Sequence, residues 1–199
     1  MSTRLFDRFF DEVDAPSAMR RFILAELSSP TRHWHGMMHH ALMLRRIDKT
    51  GHSRTDRRLL ILAVLFHDIV YDATRSDNEE ASASVARDWL AGDEADVVAE
   101  LIRATKAYDL AAADPVTRSL LDADLSVLWT PSVALYRYYA EGIRAEYGHV
   151  PDDAFYAGRA AVLRRLEQRI RPFLTPADSR LLARNLGSEI VRLSPPALP

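Results

Sequence analysis

The chain has 199 residues, 48% hydrophobic and 27% charged, with a net charge of −2 and no cysteine. That length can bury a substantial core, and the composition is that of an ordinary globular protein. The charge balance argues against a nucleic-acid polymer or an anionic membrane as partner, and the lack of cysteine excludes disulfides, thiolate metal sites and cysteine nucleophiles.

The sequence reads as helices throughout, since glycine is scarce and period-2 alternation is absent. The expected helices are 4–12, 16–28, 32–49, 55–70, 78–91, 93–107, 115–128, 131–147, 151–170 and 176–193. The 59–66 run is apolar on every face, which marks the fourth helix as central. Asp114-Pro115, Thr130-Pro131, Val150-Pro151 and Thr175-Pro176 each place proline where a helix can begin, with Asp or Thr available as a cap in three of them. The 131–147 segment aligns Leu135, Tyr138, Tyr139, Gly142 and Ile143 on one face, and 151–170 aligns Phe155, Val162, Leu163, Leu166 and Ile170. The expected fold is an all-α helical bundle forming one domain over 1–193, with a flexible tail at 194–199. The first residues, Met1 to Asp7, lack the basic stretch and apolar core of a signal peptide. The apolar run before His67 is too short to span a bilayer. A cytoplasmic protein without membrane contact is expected.

His67-Asp68 closes the apolar run, where an imidazole and a carboxylate are costly to bury without a use. If both stay helical they lie about 100° apart and reach an ion only at the helix edge. His39 on an earlier helix and an Asp of Asp122-Ala123-Asp124 on a later one complete two imidazoles and two carboxylates. That set suits one divalent metal ion, Mn, Fe, Co, Ni or Zn, better than Mg or Ca. The competing reading is a buried hydrogen-bonded His-Asp pair in a structural helical protein. His35 and His39, at i and i+4, could themselves bind zinc. His33 and His40 read as residues of a helix start, and His52 as a loop residue.

Taken together, these residues resemble the HD superfamily of metal-dependent phosphohydrolases, whose pattern is a His, a His-Asp pair and a distant Asp. The resemblance implies an HD-domain-like bundle with His39, His67, Asp68 and Asp124 as metal ligands; Asp124 is favoured over Asp122 because Ala123-Asp124-Leu125 looks like the family's final motif. Arg32-x-Trp34-His35-x-x-x-His39, Phe66 to Asp72, Asp77 to Ala83, Ala104-Thr105-Lys106, Ile143-Arg144-x-Glu146-Tyr147, Gly158-Arg159 and Ala183 to Leu186 look like one bacterial branch of predicted phosphohydrolases. The branch usually has Tyr-His-Asn where this chain has Trp34-His35-Gly36, and often His where it has Tyr108. Dinuclear HD proteins, among them cyclic-dinucleotide phosphodiesterases and di-iron oxygenases, carry extra histidines between the His-Asp pair and the last Asp. This chain has none between His67 and Asp124, which argues for one metal.

The implied reaction is hydrolysis of a phosphomonoester or phosphoanhydride in a small phosphorylated molecule, a nucleotide by family analogy. Asp68 would bind metal and steer water. Asp72, placed like the acid of a His-Asp-x-x-Glu-Asp motif in the similar alarmone hydrolases, and Glu79 compete as acid or base. Ser76-Asp77-Asn78-Glu79 also reads as a capping box that would occupy Glu79. Candidate substrate contacts are His35, Asn78, Lys106 and Arg144, against the plainer readings of a solvated lysine and an interhelical salt bridge. Arg159 and Arg184 are expected to pair with acids such as Glu146 and Glu189. Trp34, Tyr71 and Tyr108 read as a base or sugar wall or as core. The rival function is a metal- or nucleotide-binding sensor without turnover. A homodimer is compatible with the sequence, though no residue argues for it.

Overall fold

The computed structural model describes residues 4–193, and every regular element among them is helical. The tail expected at 194–199 lies outside the described residues. The chain forms two compact units, residues 1–124 and 125–199.

In the first unit the elements are α1 (Arg4–Glu12), α2 (Ser17–Leu27), α3 (Met37–Ile47), α4 (Arg54–Phe66), α5 (Asn78–Trp89), α6 (Gly92–Ala107) and α7 (Pro115–Leu125). α4 starts where Ser53 Oγ accepts the Asp56 amide at 3.1 Å. From Leu60 to Phe66 no residue is more than 1% exposed, so α4 is the central helix its composition demands. It packs among α3, α5 and α6. Each large apolar side chain hidden this way contributes about 1.5–3 kcal/mol before chain entropy is counted. α1 adds Phe6, Phe9 and Phe10, an i, i+3, i+4 stripe with no exposed surface. Asp114 caps α7 by accepting the Val116 and Thr117 amides at 2.8 and 3.1 Å, with Pro115 at the first helical position.

Two helix ends differ from the periodicity. α4 stops at Phe66 rather than at 70, because the amides beyond it leave the i−4 pattern: the Ile69 amide donates to the Phe66 carbonyl at 3.0 Å and the Val70 amide to Ser82 Oγ at 3.1 Å. Arg32 donates to the Asp68 and Ile69 carbonyls, and Ser82 Oγ bonds both the carbonyl and the amide of Val70. α3 starts at Met37 rather than at 32, because Gly36 leaves helical geometry and lies against the end of α2. A Cβ on Gly36 would sit 2.8 Å from the Leu27 carbonyl oxygen and 3.3 Å from Arg32 Cβ. Backbone contact, rather than a turn type, therefore selects glycine there.

The second unit holds a 3₁₀ turn (Ser126–Trp129), α8 (Val133–Glu146), α9 (Asp152–Ile170), a short 3₁₀ turn (Arg171–Phe173) and α10 (Pro176–Leu193). α8 begins at Val133, capped by Ser132, whose Oγ accepts the Leu135 amide at 3.2 Å. Thr130 is held instead as a turn residue, its carbonyl taken by Asn185 and Arg184 at 3.0 Å each. The expected Arg159–Glu189 pair forms at 2.9 Å with both side chains buried, and the Tyr136 hydroxyl donates to the second Glu189 oxygen. Arg184 serves the Thr130 and Pro131 carbonyls and the Asn185 side chain. No helix among the described residues is long and apolar enough to cross a membrane.

Gly36→Ala is expected to cost about 1–3 kcal/mol, the usual penalty for forcing an atom into a filled space. A urea-unfolding midpoint shift without a change in slope checks it.

Candidate metal centre

His39 lies in the first turn of α3 and is 2% exposed, while His67 caps the end of α4 at 1%. Asp68 follows in the turn after α4, and Asp124 is the penultimate residue of α7. The turn, rather than a helix edge, lets neighbouring His67 and Asp68 face one point. The His39 and His67 Nε2 atoms are 3.1 Å apart. Asp124 Oδ1 lies 3.1 Å from His39 Nε2, and Asp68 Oδ2 lies 3.0 Å from His67 Nε2 and 3.7 Å from His39 Nε2. One ligating atom from each of His39, His67 and Asp124 falls within 4.8 Å of the others. His67 Nδ1 donates to the Val64 carbonyl at 2.9 Å, which orients the ring and leaves Nε2 to the cluster. Asp122, two residues before Asp124, turns away and pairs with Arg46 at 2.8 Å.

Burial disfavours a proton on His67, but the charge and hydrogen bond of Asp68 outweigh it and raise its pKa to about 9. Burial dominates at His39 and lowers its pKa despite Asp124. Burial alone would raise Asp68 and Asp124; the adjacent imidazoles instead pull both below the usual carboxylate value, His67 acting on Asp68 and His39 on Asp124. Two buried carboxylates thus share one protonated imidazole, which leaves the cluster negative. Imidazole nitrogens facing each other beside two carboxylate oxygens fit one borderline divalent cation.

Other predicted residues fall into different places. His35 sits beside the cluster, before α3 rather than on it. Its ring stacks on Tyr71 with centroids 4.0 Å apart and stands edge-on to His39 at 5.7 Å. Asn78 clamps the loop backbone, its oxygen accepting the Asp72 amide at 3.1 Å and its nitrogen donating to the Asp72 carbonyl at 2.9 Å. Asp72 Oδ1 accepts the Thr74 amide and hydroxyl at 2.8 and 2.7 Å. The capping box does not form. Asp77 stands at the N-cap without a side-chain cap bond, its carboxylate taken by Arg75 at 2.9 Å. Glu79 instead lies 3.7 Å from Lys106, whose ammonium donates to the Ser76 carbonyl at 2.5 Å. Arg144 belongs to the second unit, where it pairs with Asp152 at 2.6 Å and donates to the Tyr147 and Val150 carbonyls. His52 contacts the Ser119 hydroxyl at 2.8 Å.

Three residues gain roles that sequence reasoning did not give them. Arg32 staples the segments carrying His35 and Asp68, since its guanidinium donates to the carbonyls of His35, Asp68 and Ile69. No local pattern signals the link to the His-Asp turn, because Asp68 and Ile69 lie 36 and 37 residues away. His40 is fully buried, its ring 4.7 Å from that of His67, with Nδ1 donating to the Gly36 carbonyl at 3.0 Å. Burial and the two neighbouring imidazoles hold its pKa well below 6.5. Tyr108 contacts the cluster through its hydroxyl, which donates to Asp124 Oδ2 at 2.9 Å.

Compared with known proteins, the chain matches no family model, no curated protein and no solved structure.

Arg32→Ala should destabilise the chain by on the order of 2–3 kcal/mol, because charge-assisted bonds to three carbonyls are lost together; chemical unfolding measures it. The imidazoles also predict a pH optimum for the metal-free chain. His67, raised to about 9, contributes stability that is complete below pH 6.5 and is lost as pH climbs through 9. His39 and His40, lowered from 6.5, contribute stability that is lost as pH falls below 6.5. Thermal melts in chelator should therefore peak near pH 6.5, and a midpoint still climbing toward pH 9 would contradict the assignment.

Proposed function

We propose that this chain is a metal-dependent phosphohydrolase of the HD type, acting on a small phosphorylated molecule, a nucleotide by analogy. The observation that carries the reading is the set of buried His39, His67 and Asp124 with partly exposed Asp68, drawn from three helices and a turn around one point. These four would hold one divalent ion. Bound there, such an ion supplies charge that polarises a phosphoryl oxygen and acidifies water.

The chain's own groups divide the remaining work. Val64, through its carbonyl, fixes which His67 nitrogen faces the centre. Asp68 keeps 15% of its side chain exposed, the most of the four, and is the one that can steer a water arriving from solvent. His35, half-buried and stacked on Tyr71, places its ring at the same border. Asp72 and Glu79 compete to move the proton on the leaving oxygen. Glu79 is the less committed to the loop, since one Asp72 oxygen already serves Thr74. Arg144 drops out as a phosphate contact, its guanidinium being used at the α8–α9 turn.

The purified chain should take up one equivalent of Mn(II), Co(II) or Zn(II) and release phosphate or pyrophosphate from a member of a nucleotide panel. His67→Ala should abolish uptake and reduce turnover at least about a hundredfold. A chain that binds no stoichiometric metal overturns the proposal, and saturable metal and nucleotide binding without turnover replaces it with a sensor. Glu79→Gln and Asp72→Asn separate the two acids by which one flattens a limb of the pH–rate profile.

A further inference from the structure

We propose that Tyr108 is a positioning residue that holds Asp124 with a single oxygen turned toward the imidazoles. The inference rests on the metal reading above and concerns a side chain that the ligand pattern does not contain.

Two independent features of Tyr108 point this way. The first is its backbone. Tyr108 is the C-cap of α6 at φ 50° and ψ 45°, one of two non-glycine residues with positive φ among those described. Left-handed geometry suits glycine or asparagine at a helix end and disfavours a bulky side chain. Glycine would make the same turn, including the bond from the residue 108 amide to the Ala104 carbonyl at 3.2 Å, without the steric cost. What glycine cannot supply is a hydroxyl.

The second feature is where that hydroxyl goes. It donates to Asp124 Oδ2 at 2.9 Å, while Oδ1 lies 3.1 Å from His39 Nε2. The two oxygens of one carboxylate are thereby given different tasks. With Oδ2 occupied by a phenol donor, Asp124 presents one oxygen to an ion and cannot rotate to present two without losing that bond. Hydrogen bonds of this kind to a ligating carboxylate commonly change metal affinity ten- to a hundredfold. The left-handed turn sends the chain from α6 toward α7, and so places the phenol at the residue that α7 contributes to the cluster.

The test compares the full-length chain with Tyr108→Phe and Tyr108→Gly, using Co(II) alone as probe. Calorimetric titration gives affinity, and thermal melts in chelator give the stability of the metal-free form. Tyr108→Phe should lower Co(II) affinity about ten- to a hundredfold with little change in the metal-free melting temperature. Tyr108→Gly relieves the backbone, so it should melt at or above the wild-type temperature while losing affinity to the same degree. Wild-type affinity in both variants overturns the proposal and leaves Tyr108 as a helix end only. Affinity lost in Tyr108→Gly but kept in Tyr108→Phe overturns it as well, since ring packing rather than the hydroxyl would then be responsible. A wild-type chain that takes up no Co(II) overturns the metal reading and this inference together.

Discussion

Two carboxylates and two imidazoles converge at the end of a helix whose last two turns, Leu60 to Phe66, are buried on every face, and most of the first unit follows from accommodating them. Charge in so dry a place must be paired, and the metal-free cluster pairs it by protonating His67 against Asp68. The opposite displacements of His39 and His67 follow from their neighbours. His67 has Asp68 at 3.0 Å, whereas burial wins at His39.

Convergence also dictates where the helices stop. Were α4 to continue to residue 70, His67 and Asp68 would diverge around its axis. The helix ends at Phe66, where the Val70 amide turns to Ser82 Oγ instead of an i−4 carbonyl and Arg32 holds the released turn by the Asp68 and Ile69 carbonyls. Arg32 at the same time fixes the segment before α3, whose glycine lies under the Leu27 carbonyl. Gly36 is therefore a packing requirement of this chain. Its carbonyl in turn holds His40 against the back of His67. The cluster is thus supported by a guanidinium, a glycine and a buried imidazole.

The residues behind the centre are more sharply defined than those proposed to face substrate. Asn78, Asp72, Glu79 and Lys106 bond among the loop and helix start that follow the His-Asp turn, which explains why so many polar residues cluster there. The second unit is held by its own polar core, the buried Arg159, Glu189 and Tyr136. Its arginines, read from sequence as phosphate or acid partners, are consumed by carbonyls, Asp152 and Glu189.

The ten helices were legible because helix formation is a local matter of period, caps and proline positions. The apolar ring at 59–66 announced a central helix, and Asp114 and Thr175 announced starts that the structure uses. His39, His67, Asp68 and Asp124 could be nominated from residue type and order. Their approach to within hydrogen-bonding distance could not, because it depends on α3, α4 and α7 meeting across separations of 28 to 85 residues. The same limit hid the early end of α4, the choice of Asp124 over Asp122 on geometric grounds, and the bond from Tyr108 to Asp124. Each is settled by a partner remote in sequence: Arg32 for α4, Arg46 for Asp122, and Asp124 for the tyrosine. The sequence by itself determined which helices form and nominated His39, His67, Asp68 and Asp124 as a set, since period, caps and residue type are read along the chain. Only the tertiary structure decided which polar groups face one another, because a side chain's partner is set by packing.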